Sequence, residues 1–143
     1  MDDRTGAQFG LVALATCYLF FLIVSVAGYG EPFPFMGTVY WGADAHGLVF
    51  VDSMITLYLL LGIIKRQALT WWLLIAYNLL DVANALVNLA LVPPREYELM
   101  AGAPVPQEAI LGNAVVAVGL VLLLNVYIYR RRRLFTNRSP YLF

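Results

Sequence analysis

The residues best suited to chemistry are polar side chains inside an apolar run, with the carboxylate of Asp81 near the centre of that run. The run extends from Leu69 to Val92. Its polar members around the centre are Tyr77, Asn78, Asp81, Asn84 and Asn88. At roughly 100° per residue along an α-helix, these side chains fall within an arc of about 120°. A carboxylate at membrane depth destabilises an inserted helix by about 2.5–3.5 kcal/mol, so it points first to a functional site.

A second polar set lies on the preceding apolar run, residues 47–64, and just before it. Its members are His46, Asp52, Ser53 and Thr56. These side chains also share an arc of about 120°. The connection around residues 65–70 is short, which predicts an antiparallel pair of helices with Thr56 and Asp81 both near mid-depth. We therefore expect the two arcs to face each other across an outward-facing polar cleft, with Asn113 of the last apolar run beside them.

The two carboxylates of such a cleft need charge compensation, because no Lys or Arg lies in any segment at membrane depth. A proton, a metal cation or a cationic ligand can supply it. Carboxylate and Asn carbonyl oxygens are hard ligands, suited to alkali or alkaline-earth ions rather than soft metals. The sequence thus predicts binding or transport of a cation, or of a protonated or polar small molecule. It identifies neither the metal nor any cofactor.

The same polar residues have a structural interpretation. Asn side chains and a protonated Asp81 can form hydrogen bonds between helices and simply hold a bundle together. A chain this small also has few internal packing partners, which fits an accessory subunit of a larger membrane complex. Partners would then be further copies of the chain or other membrane subunits, with a basic residue of the partner against Asp81.

The elements that position these residues follow from composition. Of the 143 residues, 62% are hydrophobic and 13% are charged, which is typical of a polytopic membrane protein. A helix needs about 20 apolar residues to span a bilayer. Suitable runs cover about residues 9–29, 47–64, 69–92 and 107–129. We expect an all-α, four-helix transmembrane bundle forming one membrane domain in the lipid bilayer.

The basic residues predict the orientation of the bundle. All but one of the nine Lys and Arg fall on one side of the predicted membrane. They are Arg4, Lys65, Arg66, Arg138 and the cluster at 130–133, whereas Arg95 lies on the other side. Since cytoplasmic segments carry excess Lys and Arg, both termini, including a basic tail at 130–143, are expected in the cytoplasm. The predicted location is an integral, multi-pass position in a prokaryotic-type cytoplasmic membrane.

The first apolar run has an alternative interpretation as a signal peptide, because Ser25-Val26-Ala27 resembles a small-x-small cleavage site. Against this, Asp2 and Asp3 outweigh Arg4 ahead of the run. The run also exceeds the ~7–15 residues of an ordinary signal-peptide core. We expect the helix to be retained, and cleavage stays open as the alternative.

Other function classes find little support in the residues. There is no Gly-rich phosphate loop, no Cys-His pair and no HExxH motif, so the sequence favours a protein that is not an enzyme. Cys17 is the only cysteine, which excludes disulfides within the chain, and His46 is the only histidine. The basic residues form only a short tail, which argues against nucleic-acid binding.

Two local features make further predictions. Asp44 precedes the second apolar run as a candidate N-cap. Gly112 and Gly119 are seven residues apart and share one helix face, where another helix is expected to approach closely.

Overall fold

The computed structural model describes residues 3–141, without the side chains of residues 3–5 and 7. It is 76% helical. The helices are α1 (Asp3–Ala27), α2 (Gly42–Ile64), α3 (Ala68–Leu91), α4 (Pro94–Ala101) and α5 (Gln107–Arg130), and the strands are β1 (Phe33–Phe35) and β2 (Thr38–Tyr40). Within the described part of the chain, α1, α2, α3 and α5 are long and apolar enough to cross a membrane. The expectation of four such helices is confirmed.

The all-α prediction is wrong for the segment between α1 and α2. There β1 and β2 form an antiparallel hairpin in which Phe33 pairs with Tyr40 and Phe35 with Thr38. Its turn places Met36 at φ 48° and Gly37 at φ 85°, and only glycine adopts such values without strain. The strands are too short to show an alternating pattern in the sequence.

The segment between the predicted spans at 69–92 and 107–129 contains the short helix α4. Pro94 opens it at a position where the missing N–H leaves no helical hydrogen bond unmade. Gly102 ends it in the left-handed conformation at φ 65°. The helix thus begins with proline and ends with glycine, a signal that was present in the sequence.

The helices pack as two pairs, α1 with α2 and α3 with α5, and α2 touches α3 over a much shorter stretch. The pairs share a hydrophobic core near the turn between α2 and α3. Its most buried members are Leu14, Tyr18, Leu59, Ile63, Trp71, Leu74 and Ile128. We call this the basic end, because Lys65, Arg66 and the Arg cluster at 130–133 lie there. The opposite end, with β1, β2 and α4, is the hairpin end.

A chain of buried hydrogen bonds joins α1, α3 and α5 beside this core. The Tyr18 hydroxyl donates to Asn78 Oδ1 at 2.8 Å. Asn78 Nδ2 donates to Asn125 Oδ1 at 3.0 Å, and Asn125 Nδ2 donates to the Ile75 carbonyl at 3.3 Å. Both amide side chains are thus partnered inside the bundle, which a membrane helix requires of its polar groups. Asn78 thus forms hydrogen bonds between helices, as the structural interpretation of the polar residues predicted for such side chains.

The segment after α5 packs back onto the turn between α2 and α3. A single 3₁₀ turn, Arg132–Leu134, leads into Phe135, which is buried in the core. The Ala68 amide then donates to the Asn137 carbonyl at 2.7 Å, and the Asn137 amide donates to the Arg66 carbonyl at 2.9 Å. The basic end is therefore closed by the chain itself.

One local prediction is wrong. Trp41, not Asp44, is the N-cap of α2, because the helix begins earlier than the apolar run, and Asp44 lies in its first turn. A Cβ built at Gly112 or Gly119 meets nothing within 4 Å among the described residues, so the approach of another helix to this face stays a prediction. A close approach within the chain occurs at Gly62, where a Cβ would lie 2.7 Å from Thr70 Cγ2.

Gly62→Ala is expected to lower the free energy of unfolding by about 1–3 kcal/mol, because the added methyl overpacks the contact between α2 and α3. Gly112→Ala is the matched control: it enters open space and should raise helix stability by about 0.5–1 kcal/mol. Thermal unfolding in mild detergent, followed by tryptophan fluorescence, measures both. Equal midpoints for the two variants would contradict the packing at Gly62.

Candidate functional site

A cavity of 130 Å³ lies between α2 and α3 toward the hairpin end. Asp52 and Ile55 of α2 face Tyr77 and Asp81 of α3 across it, and Phe33 and Phe35 of the hairpin complete the lining. Asp52 and Asp81 therefore share one cavity, as the two polar arcs predicted. Because α2 and α3 touch only over a short stretch, space for this cavity remains between them.

Asp52 is fully engaged in hydrogen bonds. Its Oδ2 accepts from the Ser25 hydroxyl at 2.5 Å, and its Oδ1 accepts from the Tyr77 hydroxyl. Ser25 Oγ also lies 2.9 Å from Ser53 Oγ, and Thr56, one turn further along α2, is buried next to Tyr77. The Asp52 carboxylate thus joins α1, α2 and α3.

Ser25 was missed as a member of this cluster. In the sequence it appeared only as part of a possible cleavage site, and a single small hydroxyl in an apolar helix forms no periodic pattern. The position of Ser25 along α1 could have indicated that it belongs to the cluster. Because α1 runs antiparallel to α2, Ser25 lies near the level of Asp52 and Ser53.

Asp81 differs from Asp52 in its surroundings. It lines the same cavity and is an exposed residue. From residues 3–141, no hydrogen bond reaches its carboxylate. No Lys or Arg occurs between Arg66 and Arg95, or between Arg4 and Lys65. The cavity thus contains two acidic groups, of which one has donors and the other has none.

The hairpin covers the cavity through two Asn side chains of α3. Asn84 Oδ1 accepts from the Met36 amide and Asn88 Oδ1 accepts from the Gly37 amide, each at 2.7 Å. Both Nδ2 groups donate to the Pro34 carbonyl, at 3.4 Å from Asn84 and 3.1 Å from Asn88. The cleft predicted to be open at this end is instead covered by Phe33 and Phe35, and Asn88 serves as an anchor.

Three other predicted site residues lie elsewhere. Asn78 belongs to the buried bonds with Tyr18 and Asn125. His46 stacks on Tyr29, with ring centroids 4.8 Å apart. Asn113 is exposed on α5 and lines a separate cavity of 520 Å³ together with Asn88, Tyr97 and Met100. For Asn78 the reason is that an arc of 120° is wide enough to face two different neighbouring helices.

The acidic cavity has few groups able to ligate a metal. Across residues 3–141, no three His, Cys, Asp or Glu side chains come together. Oxygen atoms reach the cavity only from Asp52, Tyr77, Asp81 and Asn84 among its lining side chains.

The chain matches no protein-family model, no curated protein and no solved structure. Any functional interpretation therefore depends on the chemistry of this cavity.

Asn88→Ala should loosen the hairpin, because it removes the acceptor of the Gly37 amide and a donor to Pro34. Hydrogen exchange in detergent measures this, and protection of the Gly37 amide is expected to fall about tenfold. Asn113→Ala is the matched control, since Asn113 makes no hydrogen bond within the described chain. Unchanged exchange in the Asn88 variant would show that the hairpin does not depend on this anchor.

Proposed function

We propose that this protein binds a cation, or a protonated small molecule, at Asp81 in the cavity between α2 and α3. The observation that carries the proposal is the unpartnered carboxylate of Asp81 beside a second carboxylate, with no Lys or Arg in either helix. A charge at membrane depth is strongly disfavoured unless it is compensated. A positively charged ligand compensates it and gains a charge-assisted interaction.

The two aspartates have separate roles in this proposal. Hydroxyl donors from Ser25 and Tyr77 already stabilise Asp52, so its oxygens are oriented by the protein. Asp81 keeps its hydrogen-bonding capacity for the ligand, and Asn84 lies beside it in the lining. The cavity volume of 130 Å³ admits a few water-sized groups, which limits what enters it to a small ion or a small head group.

Binding is supported more directly than transport. At the basic end the space between the helices is filled by Leu59, Ile63, Trp71 and Leu74, all of them buried. A ligand at Asp81 therefore has no passage through the interior of the bundle to that end unless α2 and α3 separate. In a transport cycle this packed segment is the part that would have to open, and the hairpin the part that would have to lift.

One observation favours a second function, that of an accessory subunit. Asp81 is an exposed residue although it lines the cavity, so part of its side chain is accessible from outside the chain. A Lys or Arg from another membrane subunit would compensate the charge of Asp81 as well as a ligand does.

The mass of the intact particle, purified from native membranes in mild detergent, separates these two functions. A particle with other subunits supports the accessory role, and a monomer or homo-oligomer supports the ligand site.

Asp81→Asn should weaken binding of methylammonium about tenfold or more, because it removes the charge and keeps the shape. Calorimetry on the protein in lipid nanodiscs, with empty nanodiscs subtracted, measures this. The same variant should unfold at an equal or higher temperature, since an unpartnered carboxylate destabilises a membrane helix.

Asp44→Asn is the matched control for this substitution. Asp44 lies in the first turn of α2 and lines a different cavity, beside Tyr40. This variant should bind methylammonium like the unmodified protein. Undiminished binding by Asp81→Asn would refute the proposed site.

A further inference from the structure

The acidic cavity continues into an apolar groove. The groove has a volume of 570 Å³ and runs along α2 and α3 from the cavity toward the basic end. Ile55, Tyr77 and Leu80 line both spaces, so the two are contiguous. The remaining lining of the groove is Met54, Tyr58, Leu59, Leu73 and Ala76. Apart from two tyrosine hydroxyls, its side chains are apolar.

The groove opens sideways, on the surface that faces lipid when α2 and α3 span a bilayer. Met54 is 46% exposed and Leu80 43%, although both line the groove. The neighbouring helices do not cover it, because α1 packs on α2 and α5 packs on α3, away from this side. At the hairpin end, by contrast, Phe33 and Phe35 cover the acidic cavity. The less obstructed entrance to Asp81 is therefore lateral.

The lining of the acidic cavity suits an organic cation better than a metal ion. A metal such as Ca²⁺ takes six to eight oxygen ligands, and only four oxygen-bearing side chains line this cavity. Phe33, Phe35 and Tyr77 instead supply aromatic rings, which attract organic ammonium groups through cation–π interactions. A ligand that fits both spaces therefore has a positively charged group at one end and an apolar tail at the other.

We propose that the ligand is an amphiphilic amine, with its ammonium group at Asp81 and its apolar tail in the groove between α2 and α3. This inference rests on the proposed function and specifies its ligand class. Entry from the bilayer is consistent with such a ligand, because amphiphilic amines partition into lipid.

A series of ammonium ions tests this inference, using calorimetry on the full chain in lipid nanodiscs with empty nanodiscs subtracted. The probes are methylammonium, butylammonium and octylammonium, and octanol is the neutral counterpart. Octylammonium should bind about tenfold tighter than methylammonium, because part of its tail is transferred from water into the groove. Octanol should bind at least about tenfold more weakly than octylammonium, since it lacks the charge.

Ala76→Trp fills the groove from an exposed position on α3 and leaves the acidic cavity unchanged. It should weaken octylammonium binding about tenfold while methylammonium binding stays the same. Val116→Trp is the control: Val116 is 62% exposed on α5, which does not line the groove. This variant should bind both ions like the unmodified protein.

The outcomes separate this inference from the proposed function. If all three ions bind equally and Ala76→Trp has no effect, the cation site stands and the amphiphilic ligand is refuted. If octanol binds as tightly as octylammonium, binding in the groove does not depend on the charge of Asp81, and the inference is also refuted. If no ammonium ion binds, or Asp81→Asn binds them all unchanged, the proposed function itself fails.

Discussion

The structure depends on one constraint, that polar side chains within apolar helices must find hydrogen-bonding partners inside the protein. Three levels of the bundle satisfy it in different ways. Asn78 bonds to side chains of α1 and α5, Asp52 bonds to hydroxyls of α1 and α3, and Asn84 bonds to the backbone of the hairpin. Asp81 and the exposed Asn113 make no such bond within the described chain. The proposed ligand site rests on Asp81, because its carboxylate lines a cavity beside that of Asp52.

The two ends of the bundle differ in the contacts that hold them together. The basic end contains the apolar core, the buried amide bonds and the returning C-terminal segment. The acidic cavity lies toward the hairpin end, where the hydrogen bond between Asp52 and Tyr77 joins α2 to α3. Asp81 lines this cavity, whereas Gly62 is in close contact with Thr70, so we expect a substitution at Asp81 to have a smaller effect on folding than one at Gly62.

The sequence predicted the four long helices well, because length and hydrophobicity determine them with little help from tertiary contacts. It also placed Asp52 and Asp81 correctly in one cavity, since helical periodicity and a short connection fix their depth. It did not predict the hairpin, whose three-residue strands are held by Asn84 and Asn88 from a distant helix. Periodicity likewise could not decide whether Asn78 faces α2 or α5, because each arc borders two neighbours.

The manner in which the hairpin attaches has a consequence for how the site can diversify. Asn84 and Asn88 contact backbone atoms of Pro34, Met36 and Gly37, not hairpin side chains. The attachment of the hairpin to α3 therefore does not involve the hairpin side chains that line the cavity. Phe33 and Phe35 line the cavity without taking part in this attachment. We therefore expect that they can be exchanged while the hairpin stays anchored, so the lining of the cavity can change without any change in α2 or α3.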